Sequence, residues 1–130
     1  MIALDTSAIV AIALGEAEEE PFSRIIAASG ALVGTPTLLE TGLVLVARIG
    51  NHADTFLAGL INRPSIHPVA FSLPMYHEAV GAFDRFGRGR HRAKLNFGDC
   101  MAYAVAKSHD VPLLYKGVDF ARTDIVPALP

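Results

Sequence analysis

Four carboxylates hold most of the chemical promise of this 130-residue chain: Asp5, Glu40, Asp99 and Asp119. Each falls where a β-like run meets a helical one. Carboxylates gathered in one place repel, and each raises the pKa of its neighbours unless a cation sits among them. A hard, oxygen-seeking ion such as Mg²⁺ or Mn²⁺ suits that environment. Such an ion acidifies a bound water and steadies charge on a phosphodiester under attack. Hydrolysis of a nucleic-acid backbone is the chemistry that would follow. Each acid, taken alone, also has a plain structural role. Asp5 could cap the helix after it, Glu40 and Asp99 could favour a helix dipole from its first turn, and Asp119 could occupy a turn beside Gly117.

Other reactive residue types offer less. His52, His67, His77, His91 and His109 are scattered, and none pairs with another at the i, i+4 spacing of a zinc helix. His91 lies in a basic segment, where it either meets phosphate or is simply solvated. No Ser or Thr has a His and Asp partner by motif, so a nucleophilic triad has no support. The single cysteine, Cys100, excludes an intramolecular disulfide and a cysteine zinc site. It fits a reducing compartment and reads as a core residue.

The elements that must position the four acids alternate short strands with helices, the pattern of a parallel sheet covered on both faces. Ile2–Leu4 reads as a buried strand ended by Asp5, with Thr6 and Ser7 capping a helix through Leu14. A helix over Pro21–Ala28 follows Glu18, Glu19 and Glu20. Ala31–Val33 reads as a second strand. Thr35-Pro36 then reads as a cap and first turn of a helix that stops at Gly50. Further helices are expected over Ala53–Ile61, from Ser72-Leu73-Pro74 to about Phe86, and over Asn96–Lys107. Strands are expected over Ile66–Phe71, where Pro68 implies an edge, and over Val111–Tyr115, with Ile125 and Val126 adding a short one. In an open parallel sheet, strand C-termini and the following helix N-termini share one edge, so the four acids are expected to converge there.

Length and composition place the chain as one folded domain spanning residues 1–130. More than half its residues are apolar and only 18% are charged. The high apolar share suggests a buried face beyond the core, such as a subunit interface. No apolar run approaches the roughly 20 residues needed to span a bilayer. No signal-like opening precedes the first strand, so a cytoplasmic protein with no membrane attachment is expected. The net charge of −2 argues against a general nucleic-acid coat, but five of the eleven basic residues fall between Arg85 and Lys94. That run, Gly87-Arg88-Gly89-Arg90-His91-Arg92-Ala93-Lys94, reads as an exposed loop leading into Asp99. Arg88, Arg90, Arg92 and Lys94 are expected to contact a nucleic-acid backbone without performing chemistry, and Gly87 and Gly89 to let the loop adapt.

The segments Ile2-Ala3-Leu4-Asp5-Thr6-Ser7-Ala8, Leu39-Glu40-Thr41, Leu95-Asn96-Phe97-Gly98-Asp99-Cys100 and Leu113-Leu114-Tyr115-Lys116-Gly117-Val118-Asp119-Phe120 resemble, in order and spacing, the four motifs of PIN-domain nucleases. The likeness covers essentially the whole chain. It is strongest to the VapC toxins of bacterial toxin–antitoxin pairs, and Gly89–Ala93 is similar to the corresponding stretch of actinobacterial members.

The resemblance implies a three-layer α/β/α sandwich with a central parallel sheet, a homodimer or toxin–antitoxin hetero-oligomer, and a cognate antitoxin. It also implies metal-dependent endoribonuclease cleavage of structured RNA, tRNA or rRNA. Asp5 and Asp99 would be the principal Mg²⁺ or Mn²⁺ ligands. Glu40 and Asp119 would complete the site, and Ser7 would steady Asp5. Val118 stands where the family often has Asn before its last acid. Asp124 reads as part of a turn capped with Thr123.

Two other readings compete. One is a non-catalytic RNA-binding PIN-like domain, although all four acids are present. The other is a receiver-type phospho-acceptor domain. That fold would need paired acids after the first strand and an acceptor Asp after the third, whereas Asp5 stands alone and Asp54 falls at a helix start.

Overall fold

Ile2 and Leu4 pack on one face of a four-stranded sheet and Ala3 on the other, because side chains alternate along a strand. All three are buried, as a central strand of a two-sided parallel sheet requires. The computed structural model describes all residues, 1–130. Its strands are β1 (Ile2–Leu4), β2 (Ala31–Gly34), β3 (Ile66–Val69) and β4 (Leu113–Leu114). They pair in parallel in the order β3-β2-β1-β4. Pro68 lies in β3, an edge strand, where its missing N–H costs no interior pairing.

The helices are α1 (Thr6–Ala13), α2 (Glu19–Ser29), α3 (Thr35–Ile49), α4 (His52–Ile61), α5 (Leu73–Phe86) and α6 (Phe97–His109). One core layer joins Ile2, Leu4, Val33 and Leu114 to Ile9 and Ile12 of α1, Phe22 and Ile26 of α2 and Leu60 of α4. The other joins Ala3 and Leu113 to Met75, Ala79 and Ala82 of α5 and to the buried face of α6 around Tyr103. The molecule is therefore the three-layer α/β/α arrangement that the alternating pattern implies.

Several boundaries differ from the sequence expectation for local physical reasons. The cap of α1 is Asp5, not Thr6 or Ser7: its carboxylate accepts from the Ser7 amide. The cap of α3 is Gly34, and Thr35 is already helical. Helix α2 starts at Glu19, with Pro21 tolerated in a first turn whose amides need no helical acceptor. Strand β4 has only two residues: before it the Val111 amide closes the end of α6 on Ala106 O, and after it the Lys116 amide bonds Ser7 Oγ. Ile125 and Val126 add a single bridge to Leu113 through Pro127.

The chain builds outward from β1 through β2 to β3, then crosses back through α5 and α6 to lay β4 on the other side of β1. The exits of β1 and β4 therefore flank a topological switch point, the crevice where parallel sheets place their sites.

Candidate active site

Asp5 leaves β1 at that switch point, tied to β4 by a 3.0 Å bond from its amide to Leu114 O. Its side chain is buried. Oδ2 accepts from the Ser7 amide at 3.0 Å and from Ser7 Oγ at 2.6 Å. Oδ1 is buried with no hydrogen-bond partner. Burial pushes the Asp5 pKa up to about 6. The two Ser7 bonds oppose that rise, and the Asp99 and Glu40 charges add to it. The capping role of Asp5 and its place among the acids thus coexist: one oxygen serves the helix and the other faces the cluster.

Glu40 stands on α3, half-buried. Thr6 Oγ1 donates to its Oε1 at 2.5 Å. Thr41 Oγ1 lies 3.3 Å from Thr6 Oγ1 and 2.7 Å from Thr37 O, so a buried threonine cluster joins α1 to α3 and fixes the Glu40 carboxylate. On its other side is Gly98, where a Cβ would collide with the Glu40 carboxylate. Asp99 is the third residue of α6. Its Oδ2 accepts from the Asn96 amide at 3.0 Å, while Asn96 Oδ1 accepts from the Asp99 amide at 2.9 Å. This reciprocal cap fixes the acid at the helix entrance. Burial raises the Asp99 pKa; Asp119 and Glu40 push it the same way, and the Asn96 bond and the Arg88 charge pull against them. Asp119 stands at the start of a single 3₁₀ turn, Phe120–Arg122, without a side-chain capping bond, and is exposed at the rim.

The charges of Glu40 and Asp99 reach Asp5, and those of Glu40 and Asp119 reach Asp99, so the four acids gather at one edge, with exposure growing from Asp5 outward to Asp119. No three of them close into a finished coordination cage. The donor set is nonetheless all carboxylate, and the unpartnered Asp5 Oδ1 is buried among like charges. A hard cation would answer both features.

Thr6, Thr41, Asn96 and Gly98 escaped the sequence reading as contributors to this arrangement. The Asn96–Asp99 spacing of an N-cap and its third residue was the one local signal available for them. Cys100 is buried in the core, as read. Asp54 lies exposed in the first turn of α4 and not at the end of a strand, which removes the receiver reading.

The basic segment is less free than its composition suggests. A bridge between Gly87 and Leu95 closes it, and Ala93 is fully buried beneath it. His91 is half-buried, not solvated: Nδ1 accepts from the Ala93 amide and the ring packs edge-on against Phe86. Gly87 serves close packing, since a Cβ there would strike Phe83 O. Arg88, Arg92 and Lys94 project outward, whereas Arg90 lies 3.5 Å from Asp84 and over the Phe83 ring.

Asp124 does lie in a turn that Thr123 caps, the Thr123 Oγ1 accepting from the Ile125 amide at 3.1 Å, but the Asp124 side chain also reaches well beyond that turn. It accepts from Tyr103 Oη at 2.7 Å and pairs with Lys107 at 3.3 Å and Arg85 at 3.6 Å.

A family model described as "PIN domain" matches residues 2–126. The chain is 41% identical over 129 residues to ribonuclease VapC30 of Mycobacterium tuberculosis, covering 98% of each protein. In fold it is similar to M. tuberculosis VapC20, described as a Sarcin-Ricin loop cleaving toxin, with TM-score 0.78, 19% identity and 97% of each chain covered. It is also similar to VapBC2 of Rickettsia felis bound to a DNA fragment from its promoter, with TM-score 0.76, 14% identity, and 98% of this chain and 96% of that one covered.

Proposed function

The chain belongs to the PIN-domain family as a VapC-type ribonuclease toxin of a toxin–antitoxin system, and from that premise we propose that Asp5, Glu40, Asp99 and Asp119 cut structured RNA with Mg²⁺ or Mn²⁺ held among them. The observation that carries this reading is the buried, unpartnered Oδ1 of Asp5 beside Asp99 and Glu40. Asp5 and Asp99 would hold the ion most directly. Glu40, oriented by Thr6, and Asp119, at the open rim, would complete the shell directly or through water. When bound, the ion supplies an acidified water and neutralises charge developing on the phosphate. Ser7 occupies Asp5 Oδ2 and so leaves Oδ1 for the site. A structured RNA substrate, tRNA or rRNA, is in keeping with the actinobacterial-like motifs, and the structurally similar VapC20 is a Sarcin-Ricin loop cleaving toxin. RNA is cytoplasmic, and so on this reading is the site of action; no helix of the chain is long and apolar enough to cross a membrane.

An acidic site on a protein of net charge −2 needs positive charge beside it to receive a polyanion. Arg88, Arg92 and Lys94, with Arg90 more restrained, would supply it at the approach to Asp99. The cognate antitoxin is the protein partner of such a toxin. A homodimer is favoured by a broad apolar face on which Leu39, Leu43 and Val46 of α3, Val80 of α5 and Phe97 of α6 are exposed. Two clefts share Phe97 and Met101 there, one bounded by α3 and one by α5, so the face is continuous. Exposed apolar surfaces of this kind mark protein interfaces.

The test is RNA mapping after brief expression of the wild type beside Asp99→Asn, paired with Mn²⁺ titration of both purified proteins. Discrete cleavage by the wild type, with cleavage and metal binding both lost in the variant, is the expected result. Equal cleavage by the two would overturn the reading.

A further inference from the structure

Lys116 touches two separate parts of the molecule at once, one of which leads through Ser7 to Asp5. Its amide donates to Ser7 Oγ at 2.9 Å, across 109 residues of sequence. Its ammonium lies 3.1 Å from Glu16 Oε1 and 3.3 Å from Glu18 Oε1. Those two acids form the corner between α1 and α2, and each is about one-third exposed. The hydrogen bond to Glu16 and the adjacent Glu18 carboxylate push the lysine pKa above its ordinary value, so the ammonium stays charged at any working pH.

The amide contact has a consequence for the direction of a proton. A backbone N–H can only donate, so Ser7 Oγ must accept from it. The single hydroxyl hydrogen of Ser7 is thereby directed to Asp5 Oδ2, 2.6 Å away. Asp5 Oδ2 is then saturated from one side by the Ser7 amide and hydroxyl, and Oδ1 alone is presented to the other acids. If the Lys116 amide withdrew, the Ser7 hydroxyl could rotate away and the Asp5 carboxylate could turn with it. The same loop runs on through Gly117 and Val118 to Asp119, so its placement also sets where the fourth acid stands.

We propose that Lys116 is a positioning residue: its ammonium, clamped by Glu16 and Glu18, holds the loop after β4 so that its amide fixes Ser7 and, through Ser7, the metal-facing oxygen of Asp5. This rests on the metal-dependent reading above. Partners of that outer kind orient a ligand without touching the ion, and their loss typically weakens metal affinity by roughly 10- to 100-fold. The competing role for an exposed lysine beside a nuclease site is direct contact with an RNA phosphate. The two roles differ in what they require of Glu16 and Glu18. A clamp needs them; a phosphate contact would be weakened by them.

The experiment compares wild type, Asp5→Asn, Lys116→Gln, Lys116→Arg and the double variant Glu16→Gln/Glu18→Gln. Mn²⁺ affinity is measured by calorimetry, and kcat and KM on one RNA substrate. Mn²⁺ binding by the wild type and its loss in Asp5→Asn test the underlying reading independently. Given that, Lys116→Gln is expected to weaken Mn²⁺ binding about tenfold and to lower kcat, with KM for RNA nearly unchanged. The Glu16/Glu18 double variant should reproduce the loss from the other side of the clamp, and Lys116→Arg should restore most of the affinity. Adding Lys116→Gln to the double variant should cost little more, because the three residues act as one unit. Wild-type Mn²⁺ affinity in both Lys116→Gln and the double variant, or a rise confined to KM, would overturn the proposal.

Discussion

Ser7 Oγ lies 2.6 Å from Asp5 Oδ2, and the other oxygen of the same carboxylate is buried with nothing to bond it. Two oxygens of one side chain thus occupy opposite electrostatic situations. One is stabilised by the helix it caps. The other adds a buried negative charge to a site that already holds Glu40 and Asp99. In the absence of a cation this arrangement works against folding; with one it becomes an affinity.

The first expected outcome follows from the sign of that imbalance. Asp5 has its pKa raised from 3.8 to about 6, so between those values the native state binds a proton that the unfolded chain has released. Stability from this group is therefore fully present below about pH 4, declines as pH rises toward 6, and is lost above it, by about 3 kcal/mol in all. Asp5→Asn removes the titration and keeps a capping oxygen for Ser7. The metal-free variant should exceed wild type in stability by an amount that grows from near zero at pH 4 to its maximum by pH 7. Denaturant melts of both proteins across that range measure it, and a pH-independent difference would contradict it.

A second outcome concerns metal. Ligand that binds only the native state stabilises it by mass action, about 2.7 kcal/mol at a hundredfold excess over Kd. Mg²⁺ at pH 7.5 should raise the Tm of the wild type, leave that of Asp5→Asn nearly still, and so narrow or reverse the gap between them. Equal shifts in the two would place the ion elsewhere.

A third outcome tests the packing of the site. Gly98→Ala puts a methyl group where the Glu40 carboxylate lies. Either Glu40 breaks its bond to Thr6 or α6 retreats from α3. Overpacking of this kind typically costs about 1–3 kcal/mol. Cleavage should fall sharply while RNA binding through the basic segment persists. Wild-type cleavage would mean that Glu40 has room to move without consequence.

How much of this was legible in the chain divides along the distance between partners. Asp5 at a strand end, Glu40 and Asp99 near helix starts, and Asp119 after the last strand are local facts, and the shared edge follows from parallel topology. The N-cap pairing of Asn96 with Asp99 is local too. What could not be read were contacts spanning long stretches of chain. Thr6 reaches Glu40 across 34 residues and Lys116 reaches Ser7 across 109. Gly87 was read as flexible, but the Phe83 backbone above it explains its small size by contact. The turn that holds Thr123 and Asp124 was legible, whereas the other partners of Asp124 lie 17 or more residues upstream and were not.

A fourth outcome uses that last residue. Tyr103 is fully buried and Asp124 is its hydrogen-bond acceptor. Burial pushes the Asp124 pKa up, but bonds from Tyr103 and Lys107 and the charges of Lys107 and Arg85 more than offset it, leaving the pKa below its usual value. Its contribution to stability is thus present above about pH 4 and fades as pH falls through the depressed pKa. Tyr103→Phe should cost about 1 kcal/mol and leave kcat unchanged. A large loss of kcat at constant stability would instead give this network a part in the chemistry.

The final outcome separates charge that binds RNA from charge that only solvates the protein. RNA must approach four acids on a chain of net charge −2, and the run ending at Lys94 is the dense basic source beside Asp99. Arg88 is near enough to Asp99 to draw its pKa down. The segment is closed by the Gly87–Leu95 bridge and seated on buried Ala93, so its outward side chains are displayed from a fixed frame. Arg90 is partly engaged with Asp84 and Phe83, and it should contribute less than the others. Each phosphate contact to a single strand adds roughly −0.7 to the slope of log affinity against log salt. Replacing Arg88, Arg90, Arg92 and Lys94 together by Gln should therefore flatten that slope by about 2 to 3. RNA binding should weaken at low salt, and Mn²⁺ affinity should change little. Arg88→Gln alone should account for a larger share than Arg90→Gln alone. An unchanged slope in the quadruple variant would assign these residues to solvation and move the RNA surface elsewhere, such as a groove shared between two subunits.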